Sequence, residues 1–273
     1  MTVKVFAPAK INLTLHVTGQ RSDGYHLLDS LVVFADVGDS VTLTPGPELS
    51  MDVVGELAAG VPADHRNLVW KAAKAVGWTG HIELEKALPH GGGVGGGSAD
   101  AAAALTALSA QGVPIPQDVP LSLGADVPVC ISAKSTRMQG IGDALIPVPL
   151  PHLPAVLVNP GVSVPTQSVF TALSARDNTP MPDVIPDLAT PQVCAQWLRS
   201  QRNDLEAPAL QCAPEIAGVL DELEQTSSAL LARMSGSGST CFALYPTMKD
   251  AHLAAYDIGA AHPDWWCRAT RLN

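Results

Sequence analysis

Apolar and polar residues alternate strictly from residue 10 to residue 17, a pattern that predicts a half-buried β-strand. The apolar members, which we expect to face the core, are Ile11, Leu13, Leu15 and Val17. The polar members, which we expect to share the opposite face, are Lys10, Asn12, Thr14 and His16. That face therefore begins with a cation beside an amide, which fits either a ligand site or an ordinary solvated strand face.

Further segments show the periods of strands and helices. An apolar run at 27–37 is followed by strand-like segments at 41–44 and 51–54, which we expect to pair across a Pro/Gly turn. The remaining predicted strands are 155–158, 241–245 and 265–270. The predicted helices are 67–76, 193–201, 214–223 and 249–260. Thr166 is expected to be the N-cap of one more short helix.

Two stretches are rich in proline. Residues 146–154 hold four prolines, which disfavours a regular helix or a central strand, so we interpret the stretch as the passage between two lobes. Residues 177–191 also hold four prolines with little periodicity, which predicts a surface loop.

Six glycines lie between Pro89 and Asp100, directly before the alanine-rich run 99–110. Alanine is the best helix former, so the pattern predicts a flexible loop that opens into a helix. Glycines let backbone N–H groups approach a ligand closely, and a helix N-terminus attracts negative charge. The combination indicates an anion site, most simply for phosphate. A flexible surface loop capped by Ser98 is the alternative.

Two familiar phosphate loops fit this segment poorly. Gly91, Gly93 and Gly96 match G-x-G-x-x-G, but the preceding residues 82–86 are charged and alternating, as in a half-exposed strand. No acidic residue at the required distance ends an apolar strand. In the P-loop pattern, Gly97 stands where the lysine must be. The cation for phosphate chemistry must therefore come from elsewhere in the chain.

Composition narrows the class of protein. The 273 residues are 47% apolar and 15% charged, as in globular proteins, with a net charge of −10 that disfavours nucleic-acid binding. No apolar run reaches membrane-spanning length, and the first residues lack the apolar core of a signal peptide, so a cytoplasmic protein is expected. The five scattered cysteines are predicted to be small core residues, without a disulfide framework or a metal site.

Two further places could carry chemistry. Tyr25 and His26 follow a turn-rich link at 19–24 and could hold a planar ligand group, or they could be a packed tyrosine and a surface histidine. Asp126 stands between a turn glycine and an apolar run, where a carboxylate is either a local cap or a catalytic base. The residues alone leave both alternatives open.

Three segments, at 8–13, 89–100 and 235–239, resemble the GHMP kinases in order and spacing. Within that superfamily, five blocks resemble the branch that phosphorylates a cytidine diphosphate derivative of methylerythritol, on the non-mevalonate route to isoprenoid precursors. These blocks are 9–13, 21–26, 91–98, 124–128 and 203–206. The resemblance covers nearly the whole chain.

The resemblance implies an α+β, two-lobed fold. Residues 1–150 would form a ribosomal-protein-like N-terminal lobe with the ATP loop and the catalytic pair, and residues 151–273 a ferredoxin-like C-terminal lobe that completes the cleft. It also implies transfer of the ATP γ-phosphoryl group to the 2-hydroxyl of the methylerythritol moiety, with Mg²⁺ as cofactor. The partner would be this small molecule, and no obligate protein partner is inferred.

The resemblance also assigns roles to residues. Lys10 and Asp126 would be the catalytic pair, with Asp126 as the base. The substrate would be bound by Asn12, Tyr25 and His26, with Tyr25 stacked on the cytosine. ATP would be bound by Asn67, Pro89, His90, Gly91, Gly92, Gly93, Val94, Gly95, Gly96, Gly97, Ser98, Ala99, Ser235, Gly236 and Ser237. The alternatives are a homoserine- or mevalonate-type kinase of the same superfamily and a nucleotide-binding module without catalysis.

Overall fold

The computed structural model describes residues 1–273 and has an α+β fold of eleven strands and nine helices. The strands are β1 (Val3–Asn12), β2 (His16–Gln20), β3 (His26–Pro45), β4 (Ser50–Val54), β5 (Gly80–Glu85), β6 (Thr136–Gly140), β7 (Ala144–Pro147), β8 (Leu153–Asn159), β9 (Leu231–Met234), β10 (Cys241–Leu244) and β11 (Trp266–Leu272). The helices are α1 (Leu68–Ala75), α2 (Gly96–Ala110), α3 (Val119–Leu123), α4 (Val127–Ser132), α5 (Thr166–Thr171), α6 (Pro191–Leu198), α7 (Glu206–Cys212), α8 (Glu215–Gln225) and α9 (Met248–Ala261).

The chain forms two compact units that alternate along the sequence. Unit one comprises residues 1–10, 37–90 and 95–133, and unit two comprises residues 11–36, 91–94 and 134–273. Strands β1 and β3 and the glycine-rich loop therefore contribute residues to both units. The lobe boundary at residue 150 stays a prediction.

Unit one contains a sheet in the order β4-β5-β3. Strand β5 pairs antiparallel with the second half of β3 and parallel with β4, so the predicted pairing of 41–44 with 51–54 is wrong. The reason is that residues 80–85, which come later in the chain, lie between them. The sheet packs its apolar face on helices α1 and α2 in a core of Val41, Leu43, Met51, Val69, Ala73, Ile82, Leu84, Ala104, Ala107 and Leu108.

In unit two, β8 lies between β11 and β10, and β10 also pairs with β9. The prediction that the proline-rich segment excludes a central strand is wrong at Pro154, which pairs with Arg271 inside β8. Proline has no N–H to donate, and here its carbonyl accepts the N–H of Tyr245. The surface loop predicted at 177–191 is confirmed up to Pro191, where α6 begins.

The alternating segment 10–17 is buried on both faces, so the predicted half-buried strand is wrong in two respects. Strand β1 ends at Asn12, and β2 begins only at His16. The polar members are as inaccessible as the apolar ones, with exposures of 4% for Lys10, 1% for Asn12, 0% for Thr14 and 1% for His16. Each of these side chains has a polar partner: Lys10 pairs with Asp126, and Asn12 donates to Ser30. Thr14 accepts the N–H of Leu31, and His16 is hydrogen-bonded to the carbonyl of Thr179. Burial is tolerated because these groups are paired.

Most predicted helices are confirmed with shifts of one to three residues at their ends. Thr166 is the first residue of α5, and its predicted N-cap role is wrong because Pro165 occupies that position.

All five cysteines are free thiols, and Cys212 is exposed at the end of α7, which contradicts its predicted core position. No helix combines the length and apolar character needed to cross a membrane.

Candidate active site

Lys10 and Asp126 form an ion pair in unit one. The Lys10 Nζ lies 2.7 Å from the Asp126 Oδ2, and the two side chains are 5% and 33% exposed. Asp126 occupies the N-cap position of α4 but makes no capping hydrogen bond with its side chain. The local-cap interpretation is therefore wrong, because the carboxylate is directed to a buried lysine 116 positions earlier in the chain.

Helix α2 begins with unsatisfied backbone donors. Its N-cap is Gly95, which adopts a left-handed conformation and provides no side-chain cap, and its first residues are Gly96, Gly97 and Ser98. The first N–H groups of a helix have no intrahelical acceptor, and together with the helix dipole they favour an anion. Ser98 lies inside the helix, so the alternative of a loop capped by Ser98 is wrong.

Gly95 connects this helix start to the ion pair. Its φ of +63° lies in the left-handed region, and a Cβ there would lie 3.0 Å from Cβ and 3.4 Å from Cε of Lys10. A glycine therefore allows the lysine stem to pass directly beside the beginning of α2. The structure thus places a lysine beside Gly95, two residues before the position at which the P-loop lysine is missing.

Gly95→Ala is expected to lower kcat by about tenfold or more, because a non-glycine residue in this conformation costs about 1–2 kcal/mol and the new methyl group would displace Lys10. The measurement is the steady-state rate of the phosphoryl transfer that the resemblance implies, alongside thermal unfolding. Gly112→Ala is the matched control, because Gly112 has φ +87° with open space around its Cβ position. It should lose similar stability with kcat preserved. Equal kcat in both variants would contradict the close approach at Lys10.

A second ionic cluster lies beside α2 and was missed by the sequence analysis. Lys86 was predicted on a half-exposed segment, but it is 4% exposed and its Nζ contacts the carboxylates of Asp39 and Asp100. The prediction is wrong for this residue because Lys86 follows the last residue of β5 and turns inward. The sequence did hold one signal of this cluster: Asp100 is a charged residue within an alanine-rich helix, where a buried carboxylate needs a cationic partner.

In unit two, the first half of the glycine-rich loop packs on the segment 235–240. Gly93 has φ +74°, and a Cβ there would lie 2.6 Å from the carbonyl oxygen of Ser235. The Ser235 hydroxyl donates to the Gly93 carbonyl at 3.1 Å and accepts the Asn12 N–H at 3.0 Å. The N–H of Thr240 donates to the Gly92 carbonyl at 3.0 Å. Residues far apart in sequence are therefore brought together here by one main-chain hydrogen bond and two bonds of the Ser235 hydroxyl to the main chain.

The side chains of this cluster are also ordered by hydrogen bonds. The Asn12 amide donates to the Ser30 hydroxyl at 2.7 Å, which fixes the orientation of the amide. The Ser237 and Thr166 hydroxyls are 2.9 Å apart. These hydrogen bonds restrict the orientations of the Asn12 and Ser237 side chains.

Tyr25 and His26 offer an aromatic surface in unit two. Tyr25 is 60% exposed, whereas the His26 ring stacks on Phe170 with centroids 4.6 Å apart and an interplanar angle of 26°. The His26 Nε2 is buried without a hydrogen-bond partner. Burial and the charge of Arg176 lower the pKa of His26, so its neutral form is favoured. Phe170 was missed by the sequence analysis, because an apolar residue in a short helix carries no distinguishing signal.

The predicted ATP residues Asn67, Pro89 and His90 lie at the start of α1 and directly before the glycine-rich loop. Asn67 is the N-cap of α1: its Oδ1 accepts the N–H of Val69 at 2.9 Å, and its Nδ2 donates to the Pro62 carbonyl at 2.8 Å. This amide is already satisfied within the protein, so its role toward a nucleotide stays a prediction. His90 is exposed and Pro89 is half-buried.

Comparison with known proteins extends this picture. The family model described as "GHMP kinases N terminal domain" matches residues 67–146, and the one described as "GHMP kinases C terminal" matches residues 194–264. A protein of Dinoroseobacter shibae named 4-diphosphocytidyl-2-C-methyl-D-erythritol kinase is 58% identical over 98% of this chain and 94% of its own length. A protein of Cereibacter sphaeroides with the same name is 55% identical over 98% of this chain and 99% of its own.

A solved structure shows the same similarity in three dimensions. The crystal structure of a 4-(cytidine 5'-diphospho)-2C-methyl-D-erythritol kinase superposes with a TM-score of 0.78 at 32% identity, covering 99% of both chains. Both family models, the full-length relatives and the shared fold agree with one another. This chain belongs to the GHMP kinases.

Proposed function

We propose that this GHMP kinase transfers the γ-phosphoryl group of ATP to the 2-hydroxyl of 4-diphosphocytidyl-2-C-methyl-D-erythritol, in the non-mevalonate route to isoprenoid precursors. The near-full-length relatives named for this activity support the substrate. The observation that carries the chemistry is the 2.7 Å ion pair between Lys10 and Asp126, beside the open N-terminus of α2.

The ion pair has the properties that transfer to an alcohol requires. One oxygen of the Asp126 carboxylate faces Lys10, and the side chain is 33% exposed, so the carboxylate can reach a hydroxyl and accept its proton. Such a general base typically contributes about 10²–10⁴-fold to the rate. Lys10 orients the carboxylate and stabilises negative charge that develops in the transition state. Positioning and electrostatic stabilisation of this kind account for most of the catalysis in phosphoryl transfer.

The start of α2 fits a polyphosphate. Bound ATP supplies the phosphoryl group, and the N–H groups of Gly96 and Gly97 would hold its phosphates, as glycines without side chains permit. No group of three or more His, Cys, Asp or Glu side chains is placed to hold a metal ion. Mg²⁺ is commonly bound through phosphates and waters with only one or two carboxylates, so we expect it to arrive as Mg–ATP. We propose no protein ligands for it.

The aromatic surface of unit two fits the cytidine end of the substrate. Tyr25 is exposed and free to stack on a base. We propose that neutral His26 hydrogen-bonds the base through its unpartnered Nε2 once a small movement of the side chain exposes this buried atom. Phe170 fixes the plane of the imidazole by stacking on it. We therefore add Phe170 to the predicted substrate residues.

Tyr25→Ala is expected to raise the KM for the cytidine substrate by about tenfold, because base–aromatic stacking is worth about 1–3 kcal/mol. The KM for ATP should stay within about twofold, since stacking on the acceptor does not involve ATP. Initial rates with each substrate varied in turn provide the measurement. Tyr256→Ala is the control, because Tyr256 is a 75% exposed tyrosine on α9. A rise confined to the KM for ATP would show that Tyr25 is placed wrongly.

Acceptor identity separates this proposal from its alternatives. The segment Asp23-Gly24-Tyr25-His26 suits a cytidine and has no evident use in a homoserine or mevalonate kinase. We expect kcat/KM for 4-diphosphocytidyl-2-C-methyl-D-erythritol to exceed that for mevalonate or homoserine by several orders of magnitude. Turnover of either small acceptor alone would favour another GHMP kinase. We further propose that the enzyme is cytoplasmic, and we infer no obligate protein partner.

A further inference from the structure

The cluster of Lys86, Asp39 and Asp100 is buried with unbalanced charge. The three side chains are 3%, 0% and 2% exposed, and one ammonium group faces two carboxylates. The Lys86 Nζ lies 3.0 Å from Asp100 Oδ2 and is also hydrogen-bonded to Asp39 Oδ2. With both carboxylates ionised, a net negative charge would be buried, which is costly. Protonation of one carboxylate removes this cost.

The two carboxylates differ in their hydrogen bonds. Asp39 accepts the N–H of Ala87 at 2.7 Å and of Leu88 at 2.9 Å in addition to Lys86, so its charged form is well stabilised. Asp100 accepts only from Lys86, and its Oδ1 is buried without a partner. Burial, together with the smaller effect of the Asp39 charge, raises the pKa of Asp100 to about 7 against the opposing charge of Lys86. Of the two carboxylates, Asp100 is therefore the one whose protonated form is favoured.

The cluster lies directly beneath the helix start. A Cβ on Gly96 would lie 3.5 Å from both Lys86 Nζ and Asp39 Oδ2. Asp100 follows Gly96 by four residues, which is about 6 Å of axial rise in an α-helix. A negative charge at Asp100 would thus oppose an anion at the first turn of α2.

The other elements packed on α2 add few charges. Burial raises the pKa of the Cys130 thiol in α4 well above its ordinary value. The charges of Asp126 and Asp100 raise this pKa further, and the charge of Lys10 lowers it. The side chains that α1 and α3 bury are apolar, namely Val69, Ala72, Ala73 and Val119. The charges that face this region are therefore Lys86, Asp39, Lys10 and Asp126.

We propose that the Lys86–Asp39–Asp100 cluster positions the first turn of α2 for ATP and that Asp100 takes up a proton from solvent when ATP binds. This inference rests on the proposed function, since the ATP phosphates supply the opposing charge. The proton forms an O–H on the Asp100 carboxyl group, and no bond to ATP is made or broken. Lys86 and Asp100 are positioning residues, because they act through the backbone of α2.

The test is isothermal titration calorimetry of the full chain with Mg–AMP-PNP, in buffers of different ionisation enthalpy, between pH 6 and 8.5. Wild type is expected to take up a fraction of a proton per nucleotide near pH 7–8 and to bind about tenfold more weakly at pH 8.5 than at pH 6. Asp100→Asn should lose this uptake and most of the pH dependence. Titration of the nucleotide itself is the same for both proteins and cancels in the difference.

Asp118→Asn is the matched control, because Asp118 is an exposed carboxylate of unit one with no side-chain cap hydrogen bond. Its proton uptake should equal that of wild type. Equal uptake by wild type and Asp100→Asn would overturn the proposal. So would wild-type binding that shows no proton uptake from pH 7 to 8.5 after correction for the separately measured titration of Mg–AMP-PNP, an outcome that needs no variant. Absence of any nucleotide binding by wild type would instead contradict the ATP site itself.

Discussion

Asp126→Asn is expected to lower kcat by about 10²–10⁴-fold, the usual contribution of a general base. Asparagine keeps the shape of the side chain and can still accept a hydrogen bond from Lys10, but its amide cannot take the hydroxyl proton. The dissociation constant of Mg–AMP-PNP should stay within about twofold, because the helix N-terminus that holds the phosphates is unchanged. Single-turnover rates and calorimetry measure the two quantities.

The chain contains a close control for this variant. Asp118 and Asp126 both stand at the N-cap of a short helix that begins Val-Pro, and neither makes a side-chain cap hydrogen bond. They differ in that only Asp126 is paired with Lys10. Asp118→Asn should therefore retain the wild-type kcat. A kcat near that of wild type in Asp126→Asn would remove Asp126 as the base.

Lys10→Met is expected to lower kcat by about 10²–10³-fold, comparable to the loss of one preorganised charge-stabilising donor. Methionine preserves the apolar stem beside Gly95 but removes the ammonium group 2.7 Å from Asp126. Both the orientation of the carboxylate and the stabilisation of developing charge are lost. Rates at saturating ATP and acceptor isolate this effect from binding.

Lys4→Met is the control on the same strand. Lys4 pairs with Glu85 at 2.8 Å, but the two side chains are 58% and 50% exposed, and exposed pairs contribute little. Its kcat should be that of wild type. If Lys10 and Asp126 act as one unit, the double variant should lose little more than the worse single variant. Multiplicative losses would indicate independent roles.

The sequence predicted those features whose signal is local. The glycine run before an alanine-rich segment indicated a loop that opens into a helix, and α2 begins at Gly96. Hydrophobic periodicity located most strands and helices. The absence of a P-loop lysine at Gly97 indicated that a cation must come from elsewhere, and Lys10 lies beside Gly95. Resemblance to a family, rather than periodicity, identified Asp126 as its partner.

Features that depend on distant partners could not be predicted. An alternating pattern shows which face of a strand is apolar, but it does not show that Asp126 and Ser30 pair with Lys10 and Asn12 and allow their burial. The order β4-β5-β3 likewise depends on a later strand that lies between two earlier ones. Phe170 gains significance only through the ring of His26.

ADP release from Mg–ATP, measured with and without 4-diphosphocytidyl-2-C-methyl-D-erythritol, tests the proposed reaction most directly. We expect ADP to form only when this acceptor is present, in equal amount to an acceptor phosphorylated at its 2-hydroxyl. Tight binding of ATP without acceptor-dependent ADP formation would contradict the proposed acceptor.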